Sequence, residues 1–312
     1  MRLQLTRVAA SCALALACAL LVPAFARAQQ ESSVRVRSSV YQDDDATFIH
    51  THVIAAKAAI TDEVAVDAHG LIDVVSTASV DVVSAATKRW TETRKEAEGG
   101  LGYNNGNTSV NGTYIYSREN DWWSHTVNLG FTQDLLVHNL TLGASAGIVD
   151  NHVGRSHDST FAERMRVINA GVSAVIVGSP DDLWSVAYNL SKVDGYQASP
   201  YRYARFRDLS SPDQILFSGG SSGEPGERMP ETRARHAVTV RWNRSLFEDT
   251  SLRSHVRLYR DDWGVTSITG GTEYVVGYDP LELAFSARGY AQSHADFYKD
   301  VYPREMRYMT SD

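Results

Sequence analysis

Beyond residue 31 the chain alternates apolar and polar positions over runs of about ten residues, broken by turn-forming residues. That is the period of a strand with two unlike faces, not of a helix. Between Thr232 and Leu246, one face carries Ala234, His236, Val238, Val240 and Trp242, and the other Arg233, Arg235, Thr239, Arg241 and Asn243. The following runs set Leu252, Val256 and Leu258 against Arg253, His255, Arg257 and Tyr259. They continue with Ile268, Tyr274 and Val276 against Ser267, Thr269 and Glu273, then Leu281, Leu283 and Phe285 against Glu282, Ser286 and Arg288. Earlier runs repeat the pattern. Val127, Leu129 and Phe131 oppose Thr126 and Asn128, while Leu140, Leu142, Ala144 and Ile148 oppose Thr141 and Ser145. Ile168, Val172 and Ile176 oppose Asn169 and Ser173, and Trp184, Val186, Tyr188 and Leu190 oppose Ser185, Asn189 and Ser191. Near the start, Val64, Val66, Ile72 and Val74 oppose Asp67, His69 and Asp73, whereas the run from Phe48 to Ile60 is ambiguous in phase. Roughly fourteen strands are predicted, at hairpin spacing.

Connection lengths sort the strand ends into two groups. If the first strand, at about 32 to 41, runs outward, the inner turns are Thr61-Asp62, Asn104 to Asn107, Gln133 to His138, Gly178 to Asp182, Glu248 to Thr250 and Asp279-Pro280. All are short. The long connections, about 76 to 90, 151 to 161, 196 to 231 and 293 to 304, gather at the opposite end. Short periplasmic turns against long external loops is the asymmetry of outer-membrane barrels. Asn105-Gly106 is a two-residue hairpin signal, because both residues tolerate positive φ. Trp122, Trp123, Trp184, Trp242, Trp263, Tyr274 and Tyr278 lie at or near strand ends, where amphipathic rings suit the headgroup region.

The N terminus adds an export signal. Arg2 and Arg7 precede an apolar stretch from Val8 to Val22, followed by Pro23 and Ala26-Arg27-Ala28, so cleavage is expected after Ala28. Residues 1–28 are read as the signal and 29–312 as one barrel domain. Cys12 and Cys18 fall inside the signal, which leaves the mature chain without a disulfide, thiolate nucleophile or thiolate metal site. Later segments lack the length and apolarity of a spanning helix, although 43% of residues are hydrophobic. The fold class expected is therefore all-β: a transmembrane antiparallel up-and-down β-barrel in the bacterial outer membrane, since only a helix or a closed barrel satisfies its backbone groups in lipid. A soluble exported β-sandwich acting as a binding module is the alternative. The chain stops at Tyr308-Met309-Thr310-Ser311-Asp312, partway through an expected strand, which suggests a truncated C terminus and roughly sixteen strands in the full barrel.

Charge placement defines the candidate chemistry. An Arg facing lipid near the midplane costs about 2 to 4 kcal/mol, so Arg233, Arg235, Arg241, Arg253, Arg257 and Arg288, with Glu273 and Glu282, must face a lumen. There they line an anion-favouring pore or pair into a stabilising network. His50, His52 and His69 with Asp67 and Asp73 occupy two neighbouring strands and offer imidazole and carboxylate to a divalent metal, although a polar lumen supplies the same residues without one. Asp43-Asp44-Asp45 is read as solvated turn carboxylates before a calcium loop. Gly143-Ala144-Ser145-Ala146-Gly147 matches a nucleophile elbow, but it sits inside an alternating strand with no helix after it. The net charge of -7 argues against general nucleic-acid affinity.

Asp73-Val74-Val75-Ser76-Thr77-Ala78-Ser79, Tyr116-Ser117-Arg118-Glu119-Asn120-Asp121 and Tyr259-Arg260-Asp261-Asp262-Trp263-Gly264-Val265 carry a family resemblance. They resemble an outer-membrane family classed as a domain of unknown function, number three-five-seven-zero. That resemblance implies a Gram-negative surface barrel that runs longer at its C terminus, and it carries over no catalytic residue. The expected function is non-enzymatic: a narrow, porin-like channel or a structural barrel with external loops, needing no cofactor, with outer-membrane lipid as its partner and a solute the residues do not name. The alternative is an outer-membrane hydrolase acting on lipid or peptide, which needs a serine presented with a histidine. His125 and His236 lie on lipid-facing phases without an obvious partner serine.

Overall fold

A computed structural model of the chain describes residues 32–42, 48–77, 90–156, 158–207, 215–217 and 226–311. The export signal, the Asp43-Asp44-Asp45 run and the Gly219-to-Gly223 stretch lie outside them. The strands are β1 (Ser33–Gln42), β2 (Phe48–Ala59), β3 (Val64–Thr77), β4 (Trp90–Asn104), β5 (Thr108–Arg118), β6 (Trp122–Leu135), β7 (Leu140–Arg155) and β8 (Asp158–Ser179). They continue as β9 (Asp182–Gly195), β10 (Arg205–Arg207), β11 (Ile215–Phe217), β12 (Thr232–Phe247), β13 (Thr250–Asp261), β14 (Thr266–Tyr278) and β15 (Leu281–Gln292). Thirteen of them follow one another in a single sheet in chain order, and β10 and β11 form a separate ribbon. The fold is all-β, the antiparallel up-and-down meander of an outer-membrane β-barrel. Two compact units divide it, Met1–Leu129 with Asn151–Ser159 and Gly130–Asp150 with Thr160–Asp312.

Alternation fixes the faces. In β6 exposure alternates residue by residue from Trp122 to Phe131, with Trp123, His125, Val127, Leu129 and Phe131 the exposed members. Across the late strands the register sets Val186 against Val240, Val240 against Val256 and Val256 against Gly270, an apolar row running straight across the ladder. Val172, Leu258, Ile268 and Phe285 are each more than half exposed or close to it. A water-soluble sheet would bury such residues; a membrane sheet turns them to lipid.

The turns follow local chemistry. At Gly106 φ is +92°, and Asn105 Oδ1 accepts the Thr108 amide at 2.8 Å to close the hairpin. Thr61 Oγ1 accepts the Val64 amide at 2.9 Å in the β2–β3 turn. All six short inner turns stand where the sequence places them.

Three expectations are corrected. The 151 to 161 segment is not a long loop: β7 runs to Arg155 and β8 restarts at Asp158, where the two residues form an ion pair. A membrane-spanning strand needs only about 9 to 11 residues, so the 22-residue β8 is about twice that length and has room for an end where both faces are polar. Second, the 196 to 231 connection is not loop alone but holds the short β10–β11 ribbon, separate from the thirteen-stranded main sheet, which agrees with the roughly fourteen strands expected. Third, residues 308–311 form no strand of the main sheet. Met309 bridges Arg228, and with Tyr302 and Ala204 it makes a fully buried cluster, flanked by Phe206.

Candidate functional site

The polar face of β12 to β15 collects six arginines, and the register resolves them into rungs. Arg233 stands opposite Val193, Arg235 lies between Ser191 and Asp261, and Thr239 lies between Ala187 and Arg257. One rung further inward runs Arg241, His255, Gly271 and Arg288. A Cβ on Gly271 would stand 2.4 Å from His255 Cε1, so a larger residue there would make the imidazole turn aside. The last rung is Arg253, Glu273 and Ser286, with Arg253 Nη1 2.9 Å from Glu273 Oε1. Glu282 lies opposite Gly277.

Only part of this charge is paired. Arg233 donates through Nε to Asp261 Oδ2 at 2.8 Å, and Arg253 pairs Glu273. Among the described residues, no carboxylate lies within 4 Å of Arg235, Arg241, Arg257 or Arg288. Arg235 Nε is buried with no hydrogen-bond partner. Between the outer rungs opens a cleft of about 450 Å³, lined by Asn189, Ser191, Arg233, Arg235, Arg257 and Tyr259 along with His236 and Ala237.

The residue that sequence reasoning missed is Asp261. Its carboxylate takes Arg233 and the Tyr259 hydroxyl on Oδ2, the latter at 2.7 Å, and the amides of Trp263 and Val265 on Oδ1, each at 3.0 Å. Gly264, at φ +83°, lets the turn pass Asp296, whose Oδ1 would stand 2.1 Å from a Cβ there. Trp263 is buried, donates to the Thr232 carbonyl at 2.8 Å and lies under the Arg233 guanidinium, so it is a turn residue and not part of an aromatic belt. Trp184 and Trp242 do pair near the inner strand ends, with ring centroids 5.6 Å apart. The Tyr259-to-Val265 motif is thus the scaffold of the cleft's outer edge.

In the other unit the proposed metal set divides. His50 and His52 stand opposite Val74 and Ile72 on the apolar face, while Asp67, His69 and Asp73 alternate onto the polar one. The five residues therefore cannot meet. His52 Nδ1 lies 3.0 Å from Ser38 Oγ, and Asp73 accepts Thr51 Oγ1 at 2.7 Å. His69 instead neighbours Glu96 and Glu98 of β4, with donor atoms within 4.8 Å of one another. Arg94 pairs Glu96 at 2.5 Å. In the turn between β5 and β6 burial raises the pKa of Glu119, opposed by Arg94 and assisted by Asp121 and Asp73. Neither lipid-phase histidine faces a serine: His125 meets the Tyr114 hydroxyl at 2.7 Å and His236 that of Tyr188 at 2.8 Å. Ser145 lies within β7, its Oγ 2.7 Å from where a Cβ on Gly171 would stand.

The chain belongs to a family described as protein of unknown function (DUF3570), whose model matches residues 84–312. None of the curated proteins matches. Among solved structures, it is similar to a mutant of the ferric enterobactin receptor PfeA of Pseudomonas aeruginosa, with 12% identity, TM-score 0.46, and 80% of this chain and 45% of that one covered. The siderophore receptor PirA of Acinetobacter baumannii gives 11% identity and TM-score 0.48, with 80% and 44% covered. CdiB of Acinetobacter baumannii gives 12% identity and TM-score 0.40, with 83% and 53% covered. The chain spans about half the length of these proteins.

Proposed function

We propose that this is a non-enzymatic protein of the Gram-negative outer membrane, a barrel whose polar face lines a water-filled lumen that favours anions. The observation that carries the reading is the separation of the two faces: apolar rows such as Val186, Val240 and Val256 on one side, six arginines against Asp261, Glu273 and Glu282 on the other. Lipid is its partner on the first face, and fixed charge sets ion preference on the second. In planar bilayers, replacing Arg241 and Arg257 together by Gln is expected to lower the anion preference of the conductance. An unchanged preference would refute the anion reading. A second reading, a structural barrel with a pinned lumen, draws on the Arg233–Asp261 and Arg253–Glu273 pairs, and a folded protein with no conductance at all would favour it.

A further inference from the structure

We infer that the cleft bounded by Arg235, Arg257, Asn189, Ser191 and Tyr259 is a discrete binding site for an oxyanion group, a phosphoryl or carboxyl carried on a small molecule. The inference rests on the reading of this face as a water-filled lumen, and it adds a saturable site to a general field.

Three observations converge. A guanidinium cannot shed its charge, and a buried N–H without an acceptor is costly, so Arg235 Nε lacks a partner that an anionic oxygen would supply. The protein does not supply it: Asp261, which faces Arg235 across the ladder, is already saturated by Arg233, Tyr259 and two backbone amides. Arg257 stands two rungs below Asp261 on the same face and, among the described residues, has no carboxylate within reach, so two cations flank one cleft.

Size and neutral donors narrow the ligand. At about 450 Å³ the cleft falls within the range of small-molecule sites and exceeds what an isolated inorganic anion fills. Ala237 and Thr239, both buried, keep the wall between the two arginines low. Asn189 and Ser191 add uncharged hydrogen-bonding groups on the β9 side, and Arg forks match the paired oxygens of phosphoryl and carboxyl groups.

The probe is inorganic phosphate, titrated calorimetrically into the full chain folded in detergent micelles in chloride buffer, with acetate in a parallel arm to separate phosphoryl from carboxyl. Saturable one-site binding is expected, weakened at least about fivefold by Arg235→Gln, while Arg288→Gln, on the same face but outside the cleft, leaves it within about twofold. Absence of saturable binding for both probes, or equal weakening by the two variants, would overturn the site. In the unsubstituted protein, phosphate should slow phenylglyoxal modification of Arg235 and Arg257 but not of Arg288, a readout that holds whether or not Arg235→Gln folds. Uniform protection of all three overturns the site. Anion-selective conductance without saturable binding refutes this inference and leaves the lumen reading standing; binding without conductance supports the site and refutes conduction.

Discussion

Placing a positive charge on each face of β13 tests the membrane reading directly. Val256 is 47% exposed on the apolar face, flanked in register by Val240 and Gly270, and lies midway along a strand of 12 residues. Because about 9 to 11 strand residues cross the hydrocarbon, that position falls near the midplane. Val256→Arg should therefore cost about 2 to 4 kcal/mol. Arg253, three residues away, alternates to the other face, where its side chain is 56% exposed and pairs a Glu273 side chain that is 38% exposed. An ion pair so accessible to water contributes about 0 to 1 kcal/mol, and Arg253→Ser leaves Glu273 solvated. The two variants should thus differ by at least about 1 kcal/mol and by as much as about 4 kcal/mol. Since about 1.4 kcal/mol is tenfold, the difference in folding equilibrium is about five-fold at the least. Urea titration of the protein in lipid vesicles, scored by heat-modifiable gel migration, measures it. Equal tolerance of the two substitutions, or a greater loss with Arg253→Ser, would refute the assignment of faces.

Removing the Asp261 charge by Asp261→Asn should cost about 2 to 3 kcal/mol locally and open the Trp263 and Val265 amides to hydrogen exchange, because charged hydrogen bonds to Arg233 and Tyr259 are lost. In the β6–β7 turn, Val137 is 91% exposed at φ +56°, a conformation that disfavours β-branched residues. Val137→Asn should raise stability by about 0.5 to 1 kcal/mol in the same urea assay, and destabilisation would argue against a left-handed turn.

Strand phase was legible wherever one face is apolar and the other charged, because a one-residue slip would expose arginines to lipid. It failed in β2, where Ile54, Ala55, Ala56, Ala58 and Ala59 put small apolar residues on both faces and leave the phase of His50 and His52 open. The outer ends of β7 and β8 read as loop for the opposite reason: beyond the bilayer both faces become polar, as Asp150, Asn151, His152 and Arg155 show, and alternation vanishes while the hydrogen-bonded ladder continues. Asp261 was hidden because it sits at the last position of its strand, where a carboxylate reads as a turn residue. Gly264, three residues on, was the available signal, since a glycine after Asp-Asp-Trp marks a turn built around positive φ. The six arginines share one face of the ladder, but which of them lack partners depends on register, and sequence spacing does not supply it.

The distribution of burial separates two sources of stability. In the wall, apolar residues such as Val256, Leu258 and Ile268 are left exposed by the protein itself, so in the proposed membrane setting lipid would supply their stabilisation, together with backbone ladders that run from strand to strand. Outside the wall the logic reverses. Tyr302, Met309 and Ala204 are fully buried against one another, driven by water in the ordinary way. The buried Glu227 carboxylate fastens that cluster by accepting the Ser311 amide at 2.8 Å, the Ser311 hydroxyl at 2.6 Å and the Thr310 hydroxyl at 3.2 Å. Phe206 of β10 packs on the same cluster and bridges Tyr302. The long connections after β9 and after β15 are therefore joined to each other by a water-driven core of their own. Their conformations therefore depend on each other.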